Sequence, residues 1–124
     1  MKNMIIASKD SLFLVNNSMF FKRFGYKVSH ANDYIHALNN IKTLCATNEK
    51  IDIMIVKIRS FSDDDSYQLE KILAIDSQIK IIIVSNTNFP DNENLKFIDY
   101  YSSPMEIVEN LNKQKESISS YSSF

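Results

Sequence analysis

The 124-residue sequence holds one glycine, one cysteine and two prolines, and it contains no long apolar run. Each scarcity excludes something. A lone cysteine, Cys45, has no partner for an internal disulfide, and no Cys/His spacing has the form of a zinc site. Cys45 is therefore expected to be a small buried apolar residue. No stretch approaches the roughly 20 apolar residues of a membrane span. The opening MKNMIIASKD is interrupted by Ser8, Lys9 and Asp10, unlike a leader peptide or a spanning helix. A cytoplasmic, membrane-independent chain is the expectation. The formal net charge of −1 provides no broad positive field, and there is no long basic run. Direct nucleic-acid binding by this chain is not expected.

What is present is ordinary for a soluble globular protein: 44% hydrophobic and 23% charged residues, enough for one core and too few residues for two domains. Apolar runs without strict alternation occur at Met4 to Ala7, Ile53 to Val56 and Ile79 to Val84. Each reads as a strand covered on both faces, the usual state in a parallel sheet. Helical periodicity lies between them. Leu12, Val15, Met19, Phe20 and Phe24 predict a first helix from about Ser11 that stops at Gly25, which takes a left-handed C-cap at little cost. "GYKVSHA" reads as the second strand. Tyr34, Leu38, Ile41 and Cys45 predict one face of a second helix capped by Asn32 or Asp33. Further helices run through Leu69, Ile72 and Leu73, and through Ile107, Val108, Leu111 and Ile118. Alternation of this kind implies an open parallel sheet with helices on both faces, whose ligand site lies beyond the carboxyl ends of the strands.

Over nearly its whole length the chain resembles the receiver domain of two-component response regulators. "FFKRFGYKVSHANDYIHALNNI" is similar to that family's first helix, second strand and second helix, with Gly25, Tyr26, Val28, Ala31, Ala37 and Leu38 at family-typical places. "IDIMIVKI", "IKIIIVSN" and "FIDYYSSPM" resemble its third, fourth and fifth strands. The resemblance implies a doubly wound, five-stranded, flavodoxin-like α/β sheet, and a phosphorylation site of an acidic pair, an acceptor aspartate, a hydroxyl and a lysine around Mg²⁺. This chain departs from that site. Lys57 stands at the acceptor position. The acidic pair matches Ser8 and Lys9, or Lys9 and Asp10 in the neighbouring register. Ser85 keeps the hydroxyl, and the lysine before Pro104 has become Ser103. The implied protein is a pseudo-receiver, with no catalytic residue, metal or cofactor of its own.

An unpaired buried ammonium costs several kcal/mol. Lys57 is therefore expected either to meet Asp10 or one of Asp63, Asp64 and Asp65, or to carry its charge into solvent over an apolar stem. Ser103-Pro104-Met105-Glu106 has the form of a capping box. The acids at 63 to 65 suit a helix N-terminus. His30 and His36 are expected on the surface, and Ser85 has neither histidine nor glycine elbow beside it. Residues 86–97, with Pro90 and four asparagines, predict a loop or a single turn, a shortened or irregular stand-in for the family's fourth helix. That change alters the face receivers build from their fourth helix, fifth strand and fifth helix, where Tyr100, at the family's switch-aromatic position, and Tyr101 either anchor an interface or complete the core. A receiver-like domain is expected over 1–118, followed at 119–124 by a polar tail or the start of a linker. The functional expectation is a non-phosphorylated signalling module acting through protein contacts, as a homodimer or as the regulatory part of a response regulator or transcription factor. Two alternatives remain: a receiver phosphorylated at a non-standard aspartate, and a flavodoxin-like small-ligand binder. The latter needs a phosphate-cradling loop, and "SKDSLFL" contains no glycine.

Overall fold

A computed structural model of the chain describes residues 2–87 and 89–112. The elements in order are β1 (Asn3–Ser8), α1 (Ser11–Arg23), β2 (Lys27–Ala31), α2 (Tyr34–Ala46), β3 (Ile53–Lys57), α3 (Asp63–Ile75), β4 (Lys80–Ser85) and β5 (Leu95–Asp99). A fourth helix, α4, runs through 104–112 to the end of the described residues. All five strands are parallel, in the order β2-β1-β3-β4-β5. This is the doubly wound order, with its reversal of direction between β1 and β3. Ile118 and the tail at 119–124 lie outside the described residues.

Alternation along the central strands divides the core into two layers. Ile5, Ala7, Met54, Val56, Ile81 and Ile83 face α2 and α3. Met4, Ile6, Ile53, Ile55, Ile82 and Val84 face α1 and α4. Both sides are apolar, which explains the unbroken hydrophobic runs of β1, β3 and β4.

With one glycine available, the chain ends its first two helices by different residues in the same way. After α1, Gly25 takes φ +93°; its N–H donates to the Lys22 carbonyl and that of Tyr26 to the Phe21 carbonyl. The Tyr26 and Phe21 rings meet edge-on at 5.8 Å, completing a Schellman cap with its apolar contact. After α2, Asn48 takes the left-handed place at φ 61°, with Asn48 and Glu49 donating to the carbonyls of Cys45 and Leu44. Asparagine tolerates this conformation better than other side chains.

Two sequence expectations need correction. In α1 the buried residues are Phe13, Leu14, Asn17, Ser18 and Phe21, while Leu12, Val15, Met19 and Phe24 are exposed. Phe13, Leu14 and Phe21 join the core layer with Met4, Ile6 and Ile55, and Phe13 also meets the Lys57 ammonium, so contacts with the sheet decide which face turns inward. In α2, Cys45 is exposed; Ala37 and Ile41 are buried and Leu44 packs on the core. Leu44, three residues beyond Ile41, takes the inward position that steps of four had assigned to Cys45. The segment expected to be a loop or a single turn is a loop: residues 86–94 contain no helical turn among those described.

Side chains in that connection satisfy backbone groups that a helix would have used. Asn92 Oδ1 accepts from the N–H groups of Asn94 and Leu95, and Asp91 Oδ1 accepts from Phe97 N–H along the outer side of β5. Phe89 completes an edge-on aromatic trio with Phe61 and Phe97, at centroid separations of 5.1–6.0 Å. These rings cover part of the sheet that a helix would have covered.

The inward polar residues of α1 leave a measurable cost. Asn17 Nδ2 donates to the Phe13 carbonyl, but Asn17 Oδ1 and Ser18 Oγ are buried without a hydrogen-bond partner among the described residues. Replacing Ser18 by alanine removes an unsatisfied hydroxyl and improves helix propensity, so Ser18→Ala is expected to add about 1 kcal/mol. Calorimetry should show the melting temperature rising by about 3–6 °C; a fall would contradict this account of the α1 interface.

Candidate functional site

At the carboxyl ends of the strands, Ser8 and Lys57 are register partners, the last residues of β1 and β3. The chain turns from β1 into α1 through Asp10, whose N–H donates to Ser8 Oγ at 3.0 Å. Asp10 Oδ1 caps α1 by accepting from Leu12 and Phe13 N–H at 3.1 and 3.2 Å. Its other oxygen, Oδ2, lies 3.3 Å from Lys57 Nζ. One carboxylate thus starts a helix and receives a cation.

The ammonium of Lys57 is also 4.7 Å from the Phe13 ring centroid and 4.6 Å from that of Tyr100. Both distances suit cation–π attraction, worth about 0.5–2 kcal/mol each according to desolvation. Only 15% of the Lys57 side chain is exposed, against 43% for Asp10. Lys57 therefore pairs with Asp10 and does not snorkel freely into water. Tyr100 lies in the turn after β5, turned inward onto Lys57, while Tyr101 points out and is 82% exposed. Their rings meet edge-on at 5.2 Å.

This cluster borders an open cavity of about 590 Å³, lined among others by Lys9, Asp33, Arg59, Asp64 and Asp65. Asp65 is not available to Lys57. Its Oδ1 accepts from Tyr34 OH at 2.8 Å, and its Oδ2 accepts from Ser62 N–H and Ser62 Oγ at 2.8 Å. Burial, with the Asp65 carboxylate, pushes the Tyr34 phenol above its ordinary value, so its proton stays on the bond. Ser62 and Asp65 also form a capping box at the start of α3. The S-x-x-D spacing at 62–65 is a sequence signal for it.

Of the residues singled out from the sequence, Ser8, Lys9, Asp10, Lys57 and Tyr100 gather at the cavity. Ser85 and Ser103 are not among its lining. Ser85 Oγ donates to the Arg59 carbonyl and accepts from Thr87 N–H, tying β4 to the loop after β3. Ser103 Oγ accepts from Glu106 N–H, and Glu106 Oε1 accepts from Ser103 N–H, a reciprocal cap for α4. His30 and His36 are exposed, and His36 Nδ1 lies 2.9 Å from Asp33, the cap of α2. The sequence reading missed Phe13 as a cation platform and Tyr34 as a bridge between α2 and α3.

The magnesium site of receivers does not fit these residues. Among the described residues Asp10 is the one carboxylate in the turn after β1, its oxygens face helix N–H groups and an ammonium, and a divalent cation beside Lys57 Nζ would meet like charge. Among the described residues, no group of three or more His, Cys, Asp or Glu is placed to hold a metal. Nor, among them, is any helix long and apolar enough to cross a membrane.

No protein-family model and no curated protein matches the sequence. Solved structures do match. A response regulator receiver domain protein (CheY-like) from Methanospirillum hungatei superposes with a TM-score of 0.72, at 19% identity over 94% of this chain and 95% of that one. A response regulator receiver domain protein from Clostridium thermocellum gives 0.70, at 18% identity over 95% and 99%. The chain has the receiver fold. A third neighbour, the CheX-CheY-BeF3-Mg²⁺ complex from Borrelia burgdorferi, gives 0.70 at 18% identity over 89% of this chain and 86% of that one.

Within the receiver fold, the Asp10 carboxyl is held below its ordinary 3.8, chiefly by the Phe13 N–H; desolvation opposes this, and Lys57 and the Leu12 N–H add to the lowering. A carboxyl lowered on folding contributes stability that is complete above its unfolded value and is lost as pH falls through the lowered one. Asp10→Asn keeps a helix cap but not the charge. The stability advantage of the natural protein over Asp10→Asn, read from urea midpoints, should be full above about pH 4 and shrink on further acidification. An advantage unchanged into strong acid would contradict a charged Asp10 held by the helix N–H groups and Lys57.

Proposed function

We propose that this chain is a pseudo-receiver, a signalling module that works by protein contact without phosphorylation. The observation that carries the reading is the Lys57 ammonium, 3.3 Å from Asp10 and between the rings of Phe13 and Tyr100, at the strand end where receivers place their acceptor aspartate. A tethered cation there supplies positive charge at the β1 and β3 ends without an external ion. It also holds Tyr100 inward, fixing the turn between β5 and α4 in one arrangement. Ser8, Lys9, Asp10, Lys57, Ser85 and Ser103 are, on this reading, the remnants of a phosphorylation site, with Ser85 and Ser103 reused as structural bonds. The module has no enzymatic activity and acts in the cytoplasm, as the regulatory part of a response regulator or transcription factor.

The contact surface is the side formed by β5, the loop at 86–94 and the start of α4, where Tyr101 and Met105 are exposed. A protein partner seated there would read the fixed position of the Tyr100 turn. Strand addition to β5 is disfavoured, because Asp91 and Asn92 already occupy outward N–H groups of Leu95 and Phe97. Phosphorylation at Asp10 or Asp65 has little support, since both oxygens of each carboxylate are engaged.

An amide NMR titration with Mg²⁺ and beryllofluoride tests the proposal, with Lys57→Asp measured alongside. The natural protein should show no shifts at Ser8, Asp10 or Lys57. Clustered shifts there would overturn the pseudo-receiver reading.

A further inference from the structure

The two sides of the sheet carry exposed helix faces of opposite character. On one side, α1 turns Leu12, Val15 and Met19 outward, 73%, 50% and 54% exposed. Their spacing of three and four residues makes a single stripe. The helix contains no acidic residue, and basic groups flank the stripe: Lys9 before it, Lys22 and Arg23 in its last turn. On the other side, α3 turns outward Asp63, Tyr67, Lys71 and Ile75, four residues apart, with Asp64 and Glu70 beside them. Lys71 Nζ lies 4.5 Å from the Tyr67 ring centroid, so its stem and the ring form one apolar surface.

From this we infer that α1 of one molecule docks antiparallel on α3 of a second copy of the chain, giving head-to-tail self-association. Both helices are 13 residues long. Antiparallel alignment places Lys22 and Arg23 beside the partner's Asp63 and Asp64, Val15 and Met19 against the partner's Tyr67 and Lys71 stem, and Leu12 against the partner's Ile75. The basic end meets the acidic end, and the two helix dipoles oppose each other favourably. α1 and α3 pack on opposite layers of the core, so each copy keeps one face free after the first contact. The contact is heterologous and propagates until a ring closes. It uses neither the Lys57 cluster nor the Tyr101 side, and it holds whether or not the domain accepts phosphate.

Sedimentation velocity of the full chain from micromolar to millimolar concentration tests this. The mass is expected to rise past a dimer, and to fall back in high salt, which screens the charged end. Val15→Asp with Met19→Asp removes the α1 face, and Tyr67→Lys with Glu70→Lys removes the α3 face. All four positions are exposed, so circular dichroism should match the natural protein. Each double variant alone should be monomeric, and an equal mixture should form a heterodimer that grows no further. A natural protein that stays monomeric overturns the inference and leaves the α1 stripe to a different protein. Self-association that survives in either double variant overturns it in favour of a symmetric dimer, and a mixture that remains monomeric also overturns it.

Discussion

One ammonium group sets the arrangement at the carboxyl end of the sheet. Lys57 ends a strand that is otherwise buried on both faces, and a charge at that depth is tolerated only if its surroundings replace water. They do so with one carboxylate oxygen and two aromatic faces. Each of these groups is committed elsewhere as well. Asp10 starts α1, Phe13 belongs to the core between α1 and the sheet, and Tyr100 lies in the turn leading to α4. The cation therefore links β1, β3, α1 and the end of β5.

That linkage also bears on the inverted polarity of α1. Asp10 Oδ1 accepts from the N–H groups of Leu12 and Phe13, tying the start of the helix to the end of β1. With Phe13 turned inward onto Lys57, Asn17 and Ser18 follow it into the interior, and Leu12, Val15 and Met19 are carried to the surface. A helix phased by its hydrophobicity alone would have turned the other way. The same reasoning applies at the far edge of the sheet, where Asp91 and Asn92 hold the 86–94 connection against β5 by side-chain bonds to its backbone.

Much of the architecture was legible in the sequence, because fully buried parallel strands write themselves as unbroken apolar runs, as in Ile53 to Val56 and Ile79 to Val84. The stop at Gly25 and the cap at Ser103 followed from local chemistry that needs no distant partner. The faces of the helices were less legible. Leu12, Val15 and Met19 have perfect helical spacing, yet the competing set around Phe13 and Phe21 wins through contacts with Lys57 and the sheet that periodicity does not record. Cys45 was misplaced for a related reason: Leu44 beside it fits the same groove better. The sequence posed Lys57 as a choice between Asp10, the acids at 63 to 65 and solvent. The 3.3 Å pair with Asp10 decides the matter, while Tyr34 and Ser62 engage Asp65.

The most direct test is the NMR signal of the Lys57 side-chain ammonium itself. Held between two rings and a carboxylate, its protons should exchange slowly with water, its neighbouring methylene signals should lie upfield through ring currents, and both features should weaken in Tyr100→Leu. A Lys57 signal with the shifts and rapid exchange of a solvated lysine would contradict the account.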